Sequence, residues 1–334
     1  MPCGSSHAVR CVCSGGEVAV RQNSECSQRT CGSNSCESGY KLLAWVKRAT
    51  TDRDILRLAS ELMSKNIVEF KSVTKTYNVG RSDAFTAISD VTFEIEDLPG
   101  KGEFITVLGP SGCGKSTVLR MIAGLEPQHP PTSGSVLVSG THVMGPSPER
   151  GMVFQDYTSF DNRTVLDNVA FGLECRGVDR ATRYEKAREW IQRVGLDVQS
   201  DAGKYPHELS GGMRQRVAIA RTLILHPRII LMDEPFGALD PQTRQQMQDL
   251  LIQLWNDVEA TVFFVTHSIE EAVYLGDRIF IFSPGPGRLA HQIPILHSTV
   301  RTPEIHRNPD FQRRVRELSE IMEQLDTKKP EAGA

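Results

Sequence analysis

The sequence predicts an α/β protein whose core is a parallel β-sheet that carries a phosphate-binding loop. Short apolar runs at residues 104–108, 229–233 and 261–265 have the length and composition of buried parallel strands. Helical patterns separate these runs, as alternating β/α connections require. A glycine-rich loop follows the first run and opens a helix, which is where a phosphate-binding loop belongs.

Composition limits the classes of function that the chain can have. Its 334 residues are 39% hydrophobic and 24% charged, with a net charge of −3, and the length suggests two or three structural units. There is no basic excess, so we expect no nucleic-acid partner. No apolar run reaches the roughly 20 residues that a membrane span requires. A membrane role would therefore depend on a partner.

The first 65 residues differ from the rest of the chain. They are rich in Ser and Gly, and residues 41–62 show only a weak helical pattern. A disulfide module or a zinc site is conceivable, but the start lacks a secretory signal and the spacings are not those of zinc ligands. We favour a disordered leader and hypothesise that residues 1–62 are dispensable. The leader contains six of the eight cysteines: Cys3, Cys11, Cys13, Cys26, Cys31 and Cys36.

The glycine-rich loop fits the pattern G-x4-G-K-[ST]. Its backbone would wrap phosphate groups, Lys115 would contact the β- and γ-phosphates of ATP, and the Ser116 hydroxyl would bind Mg²⁺. We interpret Cys113 as a small filler residue in preference to a redox group. The predicted phosphate-binding residues are Gly109, Pro110, Ser111, Gly112, Cys113, Gly114, Lys115, Ser116 and Thr117.

Two adjacent carboxylates end the apolar run 229–233. This position places them at the carboxyl edge of the sheet, beside the phosphate loop. We predict that Asp233 holds Mg²⁺ and that Glu234 is the base that orients the attacking water. The alternative is a pair of ordinary surface carboxylates at a strand end.

Three further polar residues are candidates for the same site. Gln155 follows the strand at residues 151–154 and could reach Mg²⁺ and water, and His267 ends the strand 261–266 near the γ-phosphate. Tyr77 offers a ring for stacking on adenine. Each of these residues alone would more often be an ordinary core, loop or surface residue, but strand ends in a phosphate-loop fold favour the functional interpretation.

A second phosphate-binding element occurs about a hundred residues after the loop. Ser210, Gly211 and Gly212 open a basic helical segment, where backbone N–H groups can bind phosphate oxygens. Because the chain already has a complete phosphate loop, this element is best explained by a nucleotide held by another copy of the protein.

The order of these motifs resembles the nucleotide-binding subunit of an ATP-binding-cassette (ABC) transporter. Residues 109–117 are similar to the Walker A motif, 153–155 to the Q-loop and 209–215 to the signature. Residues 229–235 resemble Walker B, 238–240 the D-loop, which includes Asp240, and 266–267 the switch histidine. Met213 departs from the glutamine that many members have after Ser-Gly-Gly.

The resemblance implies a P-loop (RecA-like) core in residues 66–295, with an antiparallel β subdomain and a helical signature subdomain at about 160–215. Apart from the resemblance, the residue pattern at 311–325 predicts a charged amphipathic helix within the extension 296–334, which we expect to be a solvated appendage. Two subunits would meet head to tail, with each ATP and its Mg²⁺ between one Walker A motif and the partner's Ser210, Gly211 and Gly212, and with Asp240 near the nucleotide.

The resemblance also implies partners and a location. Residues 156–163 would contact a transmembrane permease at the cytoplasmic face of the membrane, and a solute-binding protein would act indirectly. Residues 235–240, the helical positions after them and residues 263–272 resemble nitrate, sulfonate and taurine importers. ABC ATPases of translation or repair, and small-molecule kinases, fit less well. The former carry two cassettes or a long coiled coil, and the latter leave the Ser-Gly-Gly element without a role.

Overall fold

The computed structural model describes residues 11–13, 16–18, 66–97, 100, 102–156, 158–295 and 301–327. The chain divides into a unit of residues 1–56 and a unit of residues 57–334. In the first unit, strands β1 (Cys11–Cys13) and β2 (Gly16–Val18) pair antiparallel. The remainder of the predicted leader, including the weak helical pattern at 41–62, lies outside the described residues.

Two sheets form the frame of the larger unit. A six-stranded sheet and a four-stranded antiparallel sheet account for its strands among the described residues. In chain order the strands are β3 (Asn66–Tyr77), β4 (Phe85–Glu96), β5 (Phe104–Leu108), β6 (Ser133–Val138), β7 (Thr141–His142), β8 (Arg150–Val153), β9 (Ile229–Asp233), β10 (Thr261–Val265), β11 (Arg278–Phe282) and β12 (Leu289–Pro294).

The six-stranded sheet has the order β12-β11-β5-β10-β9-β8. Strands β8, β9, β10, β5 and β11 are parallel, and β12 pairs antiparallel with β11. Every residue of β5, β9 and β10 is buried, as expected for apolar strands covered on both faces. The carboxyl ends of β5, β9 and β10 therefore meet at one edge of the sheet.

The four-stranded sheet, of order β4-β3-β6-β7, packs its apolar face on the first sheet. Much of β4 alternates between buried and exposed residues, as a strand with one solvated face does. Phe93 joins the two layers, with its ring 4.5 Å from that of Phe70 in the same sheet and 5.1 Å from that of Phe280 in the other. This sheet is the antiparallel subdomain that we predicted.

The helices lie between the strands and in one contiguous insertion. They are α1 (Lys115–Ala123), α2 (Val165–Cys175), α3 (Arg180–Arg193), α4 (Val198–Asp201), α5 (Gly211–Leu223), α6 (Pro241–Asn256), α7 (Ile269–Leu275) and α8 (Pro309–Thr327), with 3-10 turns at Pro206–Glu208 and Pro303–Arg307. Helices α2, α3 and α5 pack together around the buried Trp190 and Val169. The described part of the chain thus has a helical layer between β8 and β9.

Within the helical subdomain that we predicted at about 160–215, α2 and α3 are two separate helices. Gly177 adopts a left-handed φ of 73°, and Asp179 caps the next helix by accepting a hydrogen bond from the Thr182 N–H at 3.0 Å. A left-handed glycine followed by an acidic cap ends one helix and starts another. The sequence contains both signals, the glycine and the acidic cap, but the helical pattern on either side of them conceals the break between the helices.

The expectation that the C-terminal helix is solvated is wrong. Phe311 is 7% exposed and Leu318 is 1% exposed, because one face of α8 packs on α7 and the adjoining core. His306 lies between the rings of Tyr274 and Phe311, 4.9 Å from each. The amphipathic pattern predicted the apolar stripe of α8 but not its packing on the core.

Over the residues that the structure describes, no helix is both long enough and apolar enough to cross a bilayer.

Candidate nucleotide-binding and hydrolysis site

The phosphate loop, residues 109–114, connects β5 to α1. Gly114 precedes the helix with a left-handed φ of 91°, and a Cβ there would lie 2.4 Å from Ile88 Cγ2. From the other side the β11–β12 turn supports the loop, since a Cβ on Gly287 would lie 1.8 Å from the Cys113 carbonyl oxygen. Only glycine fits at both positions, and the loop is held between β4 and this turn.

Lys115 stands at the centre of the loop. Its Nζ donates hydrogen bonds to the Gly109 carbonyl at 2.8 Å and to the Pro110 carbonyl at 3.0 Å, and the residue is only 6% exposed. The loop therefore curves around a buried cation. No side chain caps the start of α1, so its first N–H groups point toward the loop, an arrangement that favours anions.

The next turn of α1 contacts the end of β9. Ser116 Oγ donates a 2.7 Å hydrogen bond to Asp233 Oδ1, and Arg120 Nη2 lies 3.2 Å from Asp233 Oδ2. Ser116 and Arg120 are four residues apart and so share a face of the helix. Asp233 is 3% exposed, and both of its oxygens are bound.

Glu234 and His267 meet at the ends of β9 and β10. His267 Nδ1 lies 3.5 Å from Glu234 Oε2, and the Glu234 N–H donates to the Val265 carbonyl at 3.1 Å. Glu234 has a φ of 46°, a left-handed conformation that is strained for a residue other than glycine or asparagine. The backbone is thus held in an unfavourable conformation that presents this carboxylate at the sheet edge.

The predicted magnesium ligands can be tested against these positions. Mg²⁺ prefers oxygen ligands and in nucleotide sites takes one or two from the protein and others from phosphates and water. The Ser116 hydroxyl and the Asp233 carboxylate supply two oxygens 2.7 Å apart, next to the phosphate loop. These residues fit a magnesium–nucleotide complex.

A cleft of about 320 Å³ opens over the phosphate loop. Tyr77 and its cross-strand partner Phe85 form one wall, and Lys115, Thr117 and Glu234 are among the other lining residues. The Tyr77 hydroxyl lies 3.3 Å from Thr117 Oγ1, so its ring stands beside the loop. Phe85, which is 54% exposed, was missed by the sequence analysis because its place beside Tyr77 depends on the pairing of β3 with β4.

Gln155 lies apart from this cleft. It follows β8 and lines a separate cleft of about 800 Å³ with Asp156, Arg214 and Ala238 among its neighbours. The structure therefore brings Tyr77 and residues 111, 112 and 114–117 together with Glu234 in one cleft but does not place Gln155 among the residues that line it. Its role as a magnesium ligand stays a prediction.

The Ser-Gly-Gly element does not line the phosphate-loop cleft of its own chain. The exposed Ser210 caps α5, and its Oγ accepts a hydrogen bond from the Met213 N–H at 3.3 Å. A Cβ on Gly212 would lie 2.9 Å from Thr243 Cγ2. None of the described residues that line the phosphate-loop cleft comes from α5.

Asp240 caps α6 next to this element. It accepts hydrogen bonds from Thr243, including one from the Thr243 N–H at 3.0 Å, and these hold the pKa of its carboxyl below the ordinary value. Asp240 is exposed and does not line the phosphate-loop cleft.

Known proteins are similar to this chain in sequence and in fold. The family described as ABC transporter matches residues 88–237. An uncharacterised ABC transporter ATP-binding protein of Methanocaldococcus jannaschii is 48% identical over 228 residues, which are 68% of this chain and 82% of the relative. The nitrate import ATP-binding protein NrtD of Synechocystis is 43% identical over 262 residues, or 77% of this chain and 95% of the relative.

This chain belongs to the ABC transporter ATP-binding protein family. Another member, the taurine import ATP-binding protein TauB of Escherichia coli, is 46% identical over 210 residues, or 63% of this chain and 78% of the relative. A solved dimeric ATP-binding cassette, in a post-hydrolysis state with ADP and Pi, is 33% identical, with a TM-score of 0.60. The alignment covers 69% of this chain and 99% of the other, and the predicted fold class is confirmed.

The ABC cassette has a further, mainly apolar groove of about 600 Å³ between β8, α2 and α5. Phe160 and Phe171 line it with ring centroids 4.6 Å apart, and the Arg163 guanidinium lies 4.8 Å from the Phe171 ring. The groove contains part of the segment 156–163 that the sequence analysis linked to a partner.

A buried amide holds the end of this segment, at residues 160–164. Asn168 is 0% exposed, and its Oδ1 accepts a 2.8 Å hydrogen bond from the Phe160 N–H. Its Nδ2 lies within 3.1 Å of the carbonyls of Phe160, Arg163 and Thr164 and can donate to them. Sequence reasoning missed Asn168 because its partners are loop backbone groups, which leave no pattern of residue types.

Proposed function

We propose that this ABC cassette is the ATP-hydrolysing subunit that powers an importer. The observation that carries the proposal is the 2.7 Å bond between Ser116 and Asp233, beside a phosphate loop and next to Glu234. A hydroxyl and a carboxylate at this position suit a magnesium–nucleotide complex, and the adjacent second carboxylate supplies a base.

In this proposal the residues of the loop have separate roles. The N–H groups of residues 109–117 bind the phosphates, and Lys115 neutralises charge on the β- and γ-phosphates. Tyr77 stacks on adenine, and Ser116, Asp233 and Gln155 hold Mg²⁺. When bound, Mg²⁺ would withdraw charge from the phosphate oxygens.

Hydrolysis depends on the edge formed by β9 and β10. Glu234 orients water and accepts its proton, and His267, 3.5 Å away, steadies that carboxylate and contacts the γ-phosphate. The backbone bond from Glu234 to Val265 fixes the distance between the two strand ends. Lys115 and Gln155 assist by stabilising charge and positioning water.

A complete site would require two subunits. Ser210, Gly211 and Gly212 would bind ATP held by the partner, and Asp240 would lie near it across the same interface. In support, these residues lie outside the phosphate-loop cleft of their own chain, and a related cassette is dimeric with ADP and Pi. ATP binding would close the dimer and hydrolysis would reopen it.

The apolar groove supports a transmembrane permease as partner. A groove lined by Phe160 and Phe171 can receive a short apolar helix from the permease, and Asn168 makes the loop beside it rigid enough to transmit motion. The cassette would therefore work at the cytoplasmic face of the membrane. A solute-binding protein would deliver substrate to the permease without contacting this chain.

The relatives support a substrate class for the importer. Proteins named for nitrate import and for taurine import are 43% and 46% identical to this chain, which supports a small nitrogen or sulfur compound. A strain lacking this gene should fail to grow on nitrate, taurine or an alkanesulfonate as sole source and grow normally on ammonium and sulfate. Normal growth on all of them would refute this substrate class.

The decisive test of the ATPase function is E234Q. The purified variant should bind ATP normally, lose nearly all hydrolysis and form a stable dimer with ATP and Mg²⁺, as measured by phosphate release and light scattering. The control E270A changes an exposed glutamate and should keep the wild-type rate. Hydrolysis by E234Q at the wild-type rate would eliminate Glu234 as the base.

The transport role needs a separate test. Pull-down of the full chain from membranes should recover a permease with several apolar spans. Recovery with DNA or ribosomes and without a membrane subunit would instead favour an ABC ATPase that performs no transport.

A further inference from the structure

His267 is held by its chain neighbours more than by packing. Its side chain is 60% exposed, so the surrounding core constrains it weakly. Thr266, which precedes it, is 2% exposed, and its N–H donates to the Val107 carbonyl at 3.2 Å. The position of the imidazole relative to Glu234 therefore depends on how firmly residues 266 and 268 are fixed.

A buried carboxylate fixes both of these neighbours. Glu271 is 8% exposed, and its Oε2 accepts a short hydrogen bond from the Thr266 hydroxyl. Thr266 Oγ1 in turn accepts from the Ser268 N–H at 3.0 Å, and Ser268 Oγ accepts from the Glu271 N–H at 3.2 Å. The resulting ring of hydrogen bonds encloses the backbone on either side of His267.

The same carboxylate connects this ring to α6. Its second oxygen, Oε1, accepts a 2.9 Å hydrogen bond from Nε2 of Gln248, a residue only 4% exposed. One turn along α7, the Tyr274 hydroxyl donates to Asp249 Oδ1 at 2.6 Å. These two hydrogen bonds join α6, whose N-cap is Asp240, to α7, the helix that follows His267.

We propose that Glu271 is a positioning residue for ATP hydrolysis, which sets His267 against Glu234 and couples it to α6. This inference rests on the proposed ATPase function. Both oxygens of the Glu271 carboxylate accept hydrogen bonds from buried donors. Such bonds fix the orientation of neighbouring side chains, and Glu271 itself need not contact the substrate. Misplacing a reacting group by about 1 Å can reduce a rate about a hundredfold, so loss of this ring should affect turnover more than binding.

The test compares E271A, T266V and E271Q in the full chain. E271A and T266V each break the ring and should lower kcat for ATP about tenfold or more, with KM and the affinity for a fluorescent ATP analogue within about twofold. E271Q keeps the bond from Gln248, and its amide can donate to Thr266. It should therefore retain at least half of the wild-type rate.

A double-mutant cycle separates positioning from general destabilisation. If Glu271 acts through His267, E271A should have little further effect on the residual single-turnover rate of H267A. A full additional loss in the H267A background would overturn the proposal. So would a wild-type kcat for folded E271A and T266V. If E271A does not fold, T266V takes its place in the cycle, and E271Q remains the conservative control.

Two controls complete the design. E270A, on the exposed side of the same turn, should keep the wild-type kcat. If the wild-type chain itself shows no ATP hydrolysis, the proposed ATPase function fails, whereas an active wild type with an equally active E271A refutes the positioning role alone.

Discussion

The Ser116 hydroxyl donates to the Asp233 carboxylate at 2.7 Å across a separation of 117 residues. This contact joins the first turn of α1 to the end of β9 and puts two hard oxygen donors beside the phosphate loop. Arg120, one turn later on α1, binds the other oxygen of the same carboxylate. The arrangement holds Asp233 in one orientation before any ligand arrives.

The first prediction concerns these two oxygens. S116A and D233N should each reduce magnesium-dependent ATP hydrolysis about a hundredfold, because each removes one oxygen from the magnesium–nucleotide complex. Titrating Mg²⁺ at fixed ATP should show a higher concentration for half-maximal rate in both variants. D310N, an exposed change on α8, serves as the control. Unchanged magnesium dependence would rule out this pair as ligands.

The second prediction concerns the Ser-Gly-Gly element. K115A should be inactive because its own phosphate loop is damaged. S210R should be inactive because it damages the part of the site that it contributes to the partner subunit's ATP. Mixed in equal amounts, the two inactive variants should recover about a quarter of the wild-type rate, because half of the dimers have one intact site. If dimers form but no activity is recovered, Ser210 and Lys115 of the same chain would belong to one site, which would contradict the proposal.

The third prediction concerns thiol reactivity. Cys113 is 0% exposed, and burial raises the pKa of its thiol, so little thiolate forms at neutral pH. Maleimide should label the exposed Cys175 in the native chain well before Cys113, as measured on separated peptides, and should label both equally in urea. Equal rates in the native protein would revive a redox role for Cys113.

The fourth prediction concerns pH. Burial favours a higher pKa for Asp167, but hydrogen bonds from Tyr184 at 2.5 Å and from Thr164 at 2.8 Å outweigh it and leave the pKa below the ordinary value. The carboxylate therefore stabilises the folded state above the unfolded pKa of about 4, and this contribution disappears as pH falls through the lower folded pKa.

The variant D167N tests this sign. At pH 7 it should unfold at a lower urea concentration than the wild type, and the gap should close as pH falls below about 4. Y184F, which removes one donor, should show a smaller gap of the same sign. A gap that stays constant down to pH 3 would contradict the assigned cause.

The parts of the fold set by local sequence were predictable. Continuous apolar runs gave β9 and β10 at their observed bounds, and the glycine-rich loop gave its position between a strand and a helix. These features depend on residues adjacent in the chain. The start of β6 at Ser133 depends instead on pairing with β3.

Features created by distant contacts were not predictable. Strands β11 and β12 were missed, although they complete the sheet and support the phosphate loop. Glu271 looks like one of two acidic residues in a surface helix, and its burial depends on donors from β10 and α6. Arg120 had a usable signal, its spacing of four from Ser116, but its partner is 113 residues away.

The left-handed backbone of Glu234 implies a trade-off between stability and turnover. A glycine at this position would relieve the strain, so E234G should melt at a higher temperature than the wild type while hydrolysing no ATP. E234Q keeps the strained backbone and loses only the charge. On the proposed function, the chain has a less stable strand end than a glycine would give, in exchange for a carboxylate at this position.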